Sequence, residues 1–503
     1  MKFIIILFLL ICNIYLLFSN ATPLEGEQQL DVARIIVREG ALSTESVDAS
    51  FAAFGLKGVN GRLYDCHGIT NVLLMIPVAT LELIFKHFGI INSKIFSFLG
   101  SLAGTLINSL VCLVFFSILQ VFKRPVKFSF YATLYLAFGT IVFPYASHNY
   151  EGNLNMLFII SSLYFLFRYK ERNKISDLFL CCSMAGLSIN TREVSWLFLL
   201  CLLGYLFFFA WKKKEPKPLF YFLFGLIPYL AFWGYYNFIR TGSVLIPGTV
   251  QVARQMAAAS VFTGDFSLGL RRLLISKGGS IFVFSPVILL SVMGIKRFIE
   301  EEKEAAILIL SIISLLLLFN AGMVSWFGSW GWGSRYTLDI TPLMMLPLGY
   351  WLTAERLKKW YNKSLAVLLF SFGAILGISA NVTNWHGRLN YLIHRNGISH
   401  LLFTAKYSQW WDSLKTLFIN LWNLIFGHYY YISNPGYADG MSEASLCASK
   451  TIFTWWNRLL FLGVSPKYIV LYFILSFILI FYSSKYIVKS FSRGKIGDSA
   501  LFN

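Results

Sequence analysis

Long apolar runs separated by short polar segments dominate the chain. The first run covers 3–19, and others follow at roughly 70–86, 95–121, 128–146, 153–169, 176–190, 194–211, 218–238, 280–296, 305–321, 337–354, 364–381 and 467–488. Most are close to the roughly 20 residues that a helix needs to cross the bilayer core. Because lipid offers no hydrogen-bond partners, such segments must satisfy their own backbone groups as helices. The pattern predicts an all-α polytopic membrane protein.

The polar segments between these runs are of two kinds. Short, basic segments occur at 122–127, 170–174, 212–217, 296–304, 355–363 and in the C-terminal tail. Longer segments, or segments poorer in basic residues, occur at 20–68, 147–152, 239–279, 322–336 and 382–466. Basic loops stay in the cytoplasm under the positive-inside rule. We therefore expect the first kind inside and the second kind outside.

This alternation of loops does not by itself say whether the run 70–86 crosses the membrane. An odd number of crossings must separate the external loop 20–68 from the cytoplasmic loop 122–127, yet two apolar runs lie between them. Polar or helix-breaking residues in 70–86 are Pro77, Glu82 and Lys86. We expect this run to lie at the membrane surface or to re-enter, while 95–121 crosses. About twelve spans then remain, with both termini in the cytoplasm.

The composition supports burial in lipid. Only 13% of the residues are charged, against roughly 25% in soluble domains. The net charge of +19 lies in short runs between apolar segments, which argues against nucleic-acid binding.

The run 3–19 could be a signal peptide, but the small-residue cleavage site after it is poor, so we expect an uncleaved first span.

The seven cysteines imply neither a zinc site nor a disulfide framework, because no CxxC or Cys/His metal spacing occurs. Cys66 and Cys447 alone fall in expected external loops, so a bridge between them is conceivable.

An acidic pair follows the first span. Glu25 and Glu27 precede the segment Leu30 to Val37, whose apolar residues share one helical face as in an interfacial helix. A carboxylate beside an apolar surface can act as a general base with a raised pKa. The alternative is that the acidic residues only stabilise a helix N-terminus.

A second candidate is the segment from Trp326 to Tyr336, which holds three Trp and three Gly and ends in Arg335 at the mouth of a span. Glycines allow a backbone to approach a ligand closely, and Trp faces stack on sugar rings. An Arg can bind a phosphate with two hydrogen bonds. An aromatic belt with a snorkelling Arg explains the Trp residues but not the spacing of the glycines.

Three further external cations could reach an anionic headgroup. Arg192 lies where the positive-inside rule disfavours Arg, which makes it a functional candidate; the alternative is a simple pair with Glu193. Arg240 and Lys277 flank the loop 239–279, where they could bind a headgroup or merely solvate the loop.

Four local patterns occur together between residue 1 and about 355. They are Glu25-Gly26-Glu27 with Gly40; Arg62-Leu63-Tyr64-Asp65-Cys66-His67-Gly68; Asn237 to Gly242 with Gly278 to Pro286; and Trp330 to Tyr336 with Pro342 and Pro347. In this combination the chain resembles the GT-C-fold glycosyltransferases related to protein mannosyltransferases and lipid A aminoarabinose transferase. The region beyond 382 matches no pattern of that family.

The resemblance implies a GT-C-like bundle of about 12 transmembrane helices whose external loops carry interfacial helices. It implies an inverting transfer of a sugar from a polyprenyl-phosphate donor to a lipid, glycan or protein acceptor on the external face. The general base would be an acidic residue of the first external loop, usually Asp. Counting back from Gly40 gives Glu25, while Gly26 replaces the usual second acidic residue, so Glu27 stays open as the base.

Further residues follow from the same resemblance. The donor phosphate would bind Arg335, Arg192, Arg240 and Lys277. The substrate site would be lined by Tyr64, Asp65, His67, Glu151, Trp330, Trp332 and Tyr336. No cofactor is implied, and a divalent metal stays open. The expected partners are the lipid-linked donor, the acceptor and membrane lipids, with no nucleic acid.

The expected organisation is a catalytic module over 1–381, an external region over 382–466, and a last span with a cytoplasmic tail over 467–503, all in a bacterial inner membrane. A transporter or flippase is the main alternative, and it requires charged residues inside the spans and broken helices. The spans hold few charges, which favours chemistry at the surface. A non-catalytic scaffold would leave the acidic pair and the Trp/Gly segment unexplained.

Overall fold

The computed structural model describes residues 2–19, 26–43, 55–89, 93–255, 265–323, 328, 331–383, 385–426, 454–461 and 464–492. The described part is helical apart from one antiparallel pair of short strands, β1 (Gly55–Lys57) and β2 (Leu63–Asp65). The predicted class, an all-α polytopic membrane protein, is confirmed.

The helices follow the apolar runs closely. The first ten are α1 (Lys2–Phe18), α2 (Gly26–Glu39), α3 (Ile69–His87), α4 (Ser93–Val121), α5 (Val126–Gly139), α6 (Val142–Tyr145), α7 (Glu151–Arg172), α8 (Ile175–Thr191), α9 (Ser195–Lys213) and α10 (Lys217–Thr241). The next ten are α11 (Gly248–Gln255), α12 (Phe266–Ile275), α13 (Ile281–Phe284), α14 (Ile288–Val292), α15 (Ile295–Glu301), α16 (Lys303–Gly322), α17 (Thr341–Met345), α18 (Leu348–Trp351), α19 (Ala354–Lys358) and α20 (Trp360–Val382). The last are α21 (Trp385–Phe403, kinked at Gly397), α22 (Gln409–Ile425), α23 (Trp455–Phe461) and α24 (Pro466–Ser492), with 3₁₀ helices at Arg335–Ile340 and Ala405–Tyr407.

Seven of the described helices are long and apolar enough to cross a membrane: α3, α4, α9, α10, α16, α20 and α24. The predicted spans 128–146, 280–296 and 337–354 are each assembled from shorter helices. Two of these breaks face each other, because the Ser285 hydroxyl accepts a hydrogen bond from the backbone N–H of Ile141 at 3.0 Å. Such partners make a broken helix tolerable inside a bilayer. The count of twelve spans stays a prediction.

Ion pairs join the basic loops at one end of the bundle. Arg124 lies 2.6 Å from Glu301, and Glu304 accepts hydrogen bonds from Lys170 and Lys212, each at 2.6 Å. Residues in or beside four of the predicted cytoplasmic loops therefore meet, and we call this end the basic end. Its placement in the cytoplasm stays a prediction.

Both ends of the described chain also reach the basic end. The rings of Phe3 and Phe491 lie 6.0 Å apart. Both contact Phe130 near the start of α5, with ring centroids at 6.3 and 5.5 Å. Helices α1 and α24 therefore run antiparallel, as a first and a last span with both termini on one side require.

Helix α2 has the amphipathic character predicted for Leu30 to Val37. Leu30 and Ala33 are buried and pack against α3 and its neighbours. The helix ends at Gly40, whose φ of +65° supplies the left-handed conformation that closes a helix. Because α2 carries its apolar face on α3, the start of the first external loop is fixed relative to the bundle.

Helix α3 is continuous over 19 residues, so the re-entrant form expected for 70–86 is not found. The surface alternative fits its contacts. Its first turn lies at the end opposite the basic loops, where the Thr70 and Thr191 hydroxyls are 2.6 Å apart. Its last turn reaches the start of α4, where the rings of Phe85 and Phe96 lie 6.0 Å apart. Both ends of α3 therefore lie away from the basic end, and of the two helices α3 and α4 only α4 reaches the basic end.

Candidate functional site

The strand β2 leads directly into a turn that places His67 between two carboxylates. Its Nδ1 lies 2.7 Å from Oδ1 of Asp65, and its Nε2 lies 3.6 Å from Oε1 of Glu151, the first residue of α7. Burial by itself lowers the pKa of His67, but Cys66, Asp65 and Glu151 raise it well above its usual value. The first external loop and α7 are thus joined through the imidazole of His67.

Arg240 holds this turn in place. Its Nη1 donates to the carbonyl oxygens of Asp65 and His67 at 2.9 and 2.7 Å, and its Nη2 donates to Oδ1 of Asn237 at 2.8 Å. The ring of Tyr236 lies 3.8 Å from the guanidinium carbon, and the residue is only 3% exposed. These contacts do not support the phosphate contact predicted for Arg240. Instead, these contacts allow Arg240 to stabilise the turn of residues 65–67.

Arg192 forms an ion pair that the sequence did not indicate. Its Nη1 lies 2.6 Å from Oδ2 of Asp339, so its partner is not the adjacent Glu193. Asp339 is 3% exposed and belongs to the 3₁₀ helix Arg335–Ile340. Sequence reasoning missed it, although a carboxylate inside the apolar run 337–354 is a signal by itself.

Buried charge inside the predicted spans is therefore more frequent than we expected. Besides Asp339, the carboxylates of Glu82 and Asp177 are buried in α3 and α8. Each has a cationic partner: Arg34 lies 2.7 Å from Glu82, and Arg168 lies 3.1 Å from Asp177.

Two aromatic rings and the backbone of two nearby glycines surround Arg335. Its guanidinium carbon lies 5.4 Å from the ring centroids of both Tyr150 and Tyr336, a distance at which cation–π attraction operates. A Cβ added at Gly331 would lie 2.6 Å from Cδ of Arg335. At Gly328, where φ is +97°, it would lie 2.7 Å from the backbone nitrogen of Arg335. These glycines thus allow the segment to close around Arg335.

Two residues expected to line the substrate site are buried instead. Trp332 is 1% exposed and packs edge-on against Phe284, and its carbonyl accepts a hydrogen bond from Tyr145 at 3.0 Å. Tyr64 is buried on β2, where its hydroxyl accepts a hydrogen bond from Asn60 at 2.8 Å. A side chain packed on all sides cannot stack on a sugar, so both residues support the fold. Trp330 lies outside the described residues.

Lys277 is exposed, and its carbonyl accepts a hydrogen bond from the indole of Trp410 at 2.9 Å. Gln409 also accepts a hydrogen bond from the backbone N–H of Gly333 at 2.9 Å. Part of the unassigned region 382–466 therefore docks on the Trp/Gly segment and on the loop of Lys277.

The two candidate bases fall at the edge of the described part. Glu25 lies outside it. Helix α2 begins at Gly26, so the backbone of Glu27 belongs to the first helical turn. The side chain of Glu27 lies outside the described part. Cys447 does too, and Cys66 is a free, buried cysteine, so the conceivable bridge is not formed.

Four of the remaining candidates form one contiguous group with Asp339, which we call the polar cluster: His67, Glu151, Arg192, Arg335 and Asp339. Glycines bring its parts together. A Cβ at Gly152 would lie 3.6 Å from Asp339 and 3.9 Å from Arg192, and one at Gly68 would overlap the carbonyl of Thr191 at 2.2 Å. The polar cluster offers cations for an anionic group and carboxylates for proton transfer, at the end opposite the basic end.

Residues 73–235 match the model of the dolichyl-phosphate-mannose-protein mannosyltransferase family. The match covers less than half of the chain and includes Glu151 and Arg192. It confirms the predicted resemblance to these glycosyltransferases for that segment.

Solved structures of two membrane enzymes are similar to this chain at low identity. ArnT from Cupriavidus metallidurans bound to undecaprenyl phosphate is 12% identical, with a TM-score of 0.44; the similarity covers 89% of this chain and 84% of that one. The apo oligosaccharyltransferase of Archaeoglobus fulgidus is 11% identical, with a TM-score of 0.44 and coverage of 81% and 60%. No curated protein matches the chain.

Proposed function

We propose that this protein is a membrane glycosyltransferase that moves a sugar from a polyprenyl-phosphate donor to a lipid, glycan or protein acceptor. The reaction takes place at the end of the bundle opposite the basic end, which is the extracytoplasmic side if the positive-inside rule holds. The observation that carries the proposal is the polar cluster, which concentrates cations and carboxylates at that end. The match of residues 73–235 to the mannosyltransferase family supports the same reaction class.

The leaving group of such a reaction is a lipid phosphate, which needs cations to stabilise its developing charge. Arg335 suits this task because two tyrosine rings fix its guanidinium, whose planar fork matches a phosphate. Arg192 assists through the guanidinium nitrogens that do not contact Asp339, and Lys277 lies on an adjoining loop. Arg240 contributes indirectly, because it holds the turn of residues 65–67 in place.

The acceptor hydroxyl must lose a proton as it attacks the anomeric carbon, so a carboxylate base is required. We assign this role to Glu25, with Glu27 as the alternative. Glu27 belongs to the first turn of α2, and Glu25 directly precedes that helix in the sequence. Helix α2 is held on α3 by a hydrogen bond from Asn71 to Gln29 at 2.9 Å and by the Arg34–Glu82 pair. Attack from the face opposite the phosphate would invert the anomeric configuration.

The test is to incubate the purified protein with a panel of polyprenyl-phosphate sugars and acceptors. Consumption of one donor, with release of polyprenyl phosphate and transfer of the sugar, is the expected result. A preparation that consumes no donor of the panel, with any of the acceptors, would contradict the proposal.

A transporter or flippase is the second candidate, because the facing helix breaks at Ile141 and Ser285 are a feature that it predicts. Proteoliposomes that hold a fluorescent lipid-linked sugar separate the two activities. Movement of the intact lipid across the bilayer without cleavage of its sugar bond would favour transport.

A further inference from the structure

Three consecutive residues of the first external loop form a compact group of metal-ligating atoms. A carboxylate oxygen of Asp65, Sγ of Cys66 and a ring nitrogen of His67 all lie within 4.8 Å of one another. Sγ of Cys66 is 3.7 Å from Nδ1 of His67, and Nδ1 is 2.7 Å from Oδ1 of Asp65. Around a tetrahedral ion with bonds of about 2.0–2.3 Å, neighbouring ligand atoms are roughly 3.3–3.8 Å apart. The sulfur–nitrogen distance fits this range, and the nitrogen–oxygen distance is shorter than it, so Oδ1 must move away from Nδ1 when an ion binds.

We propose that Asp65, Cys66 and His67 bind a divalent transition metal ion of the zinc type. Thiolate and imidazole ligands select such ions over magnesium and calcium, which prefer oxygen ligands alone. The ligands would be the carboxylate of Asp65, Sγ of Cys66 and Nδ1 of His67. Three protein ligands leave one tetrahedral position open for water or a substrate oxygen.

The surroundings of the group are those of a metal site. Metal-ligating histidines usually direct their second ring nitrogen at a carboxylate, which fixes the ring. Here Nε2 of His67 faces Glu151, on a different element, at 3.6 Å. Oδ2 of Asp65 is buried and has no hydrogen-bond partner among the described residues, so an oxygen is available for an ion.

The turn is also rigid before any ion binds. Arg240 clamps the carbonyls of Asp65 and His67, so the ligands need little reorganisation. The positive charge of Arg240 beside the site is offset by Asp65 and Glu151. An ion here would tie the first external loop to α7 and α10 at the rim of the polar cluster.

A packing role is the competing explanation. Cys66 is buried against Leu56 and Val252, as a small apolar side chain would be, and Asp65 with His67 could be a simple ion pair. That explanation predicts no metal binding that depends on Cys66, so the two can be separated without an activity assay.

The experiment uses the full-length protein in detergent, stripped with a chelator and titrated with Co²⁺, whose bond to a thiolate gives an ultraviolet charge-transfer band. We expect saturation at one Co²⁺ per chain with that band, and its loss when Zn²⁺ is added. Cys66→Ser should remove the band. Cys201→Ser is the matched control, because this partly buried cysteine on α9 lies outside the group, and it should keep the band.

Absence of the band in the unaltered protein, or its persistence in Cys66→Ser, would overturn the proposal. Thermal unfolding is measured for each variant. If Cys66→Ser does not fold, Glu151→Gln decides the matter, since it removes only the carboxylate facing Nε2. That variant should keep the thiolate band and bind Co²⁺ about 10- to 100-fold more weakly; unchanged affinity would count against the site.

Discussion

Arg192 and Asp339 lie 147 positions apart and form an ion pair in which the Nη1–Oδ2 distance is 2.6 Å. The pair joins the C-terminal end of α8 to the 3₁₀ helix that also carries Arg335. Its carboxylate is buried, so neither water nor salt can replace the guanidinium easily. The position of Arg335 therefore depends on a contact made one turn further along the same helix.

Removal of one member of this pair should destabilise the protein. Asp339→Ala leaves the Arg192 charge without its partner, at an expected cost of about 3 kcal/mol. The measurement is a lowered Tm in detergent. Glu193→Gln is the control and should leave Tm unchanged, since Glu193 is not the partner. The double variant Arg192→Met with Asp339→Leu should recover much of the loss, and an unchanged Tm in Asp339→Ala would show that the pair is not stabilising.

Arg335→Lys should lose most of the transfer activity. The substitution keeps the positive charge but removes the planar fork that binds a phosphate with two hydrogen bonds. We expect a fall in kcat/KM for the lipid-linked donor, measured on detergent-solubilised protein of unchanged Tm. Arg172→Lys, on an exposed residue at the basic end, should be neutral. Near-normal turnover of Arg335→Lys would leave Arg335 with a structural role only.

Gly331→Ala should displace Arg335 without touching a substrate. The new methyl group would lie 2.6 Å from Cδ of Arg335 and 2.8 Å from the Tyr145 hydroxyl, so one of them must move. The matched control is Gly204→Ala in α9, where nothing lies within 4 Å of the added carbon; alanine there should be neutral or slightly stabilising. Activity should fall in the first variant only, and equal activity in both would show that the close approach is not needed.

Glu25→Gln should fold normally, still bind the donor lipid, and lose transfer by a factor of at least about a hundred, the usual scale for a general base. Glu27→Gln should be milder, because counting back from Gly40 places Glu25, rather than Glu27, at the base position that the family resemblance implies. The measurement is single-turnover transfer together with donor binding. The reverse ranking would move the base to Glu27, and full activity in both variants would remove this loop from the mechanism.

Helix α3 should not cross the bilayer. Phe88, just after α3, and Lys123, in the basic loop after α4, are both exposed and suit cysteine labelling. With a membrane-impermeant maleimide on oriented vesicles, Phe88→Cys and Lys123→Cys should react from opposite sides. The unaltered protein supplies the background of the native cysteines. Val59→Cys, on an exposed residue before α3, should react from the same side as Phe88→Cys. Reaction of these two positions from opposite sides would mean that α3 crosses.

The sequence by itself determined the class of the protein and the grouping of its loops. An apolar run in lipid has few options other than a helix, because its backbone must bond to itself. That constraint is local, so run lengths predicted the helices well. The amphipathic helix α2 was readable for the same reason, since its apolar face recurs with the helical period. Loop charge likewise indicated which loops meet at the basic end.

Tertiary structure decided which polar residues meet. Asp339 was overlooked because its partner Arg192 lies 147 positions away, and no local pattern joins them. Arg240 and Trp332 were expected at a ligand and are instead buried, because other segments of the chain cover them. Burial of a side chain depends on contacts from distant parts of the chain, whereas helix formation in lipid depends on neighbours along the sequence. For this reason the sequence predicted the spans, whereas the packing of the spans determined which polar residues come together in the site.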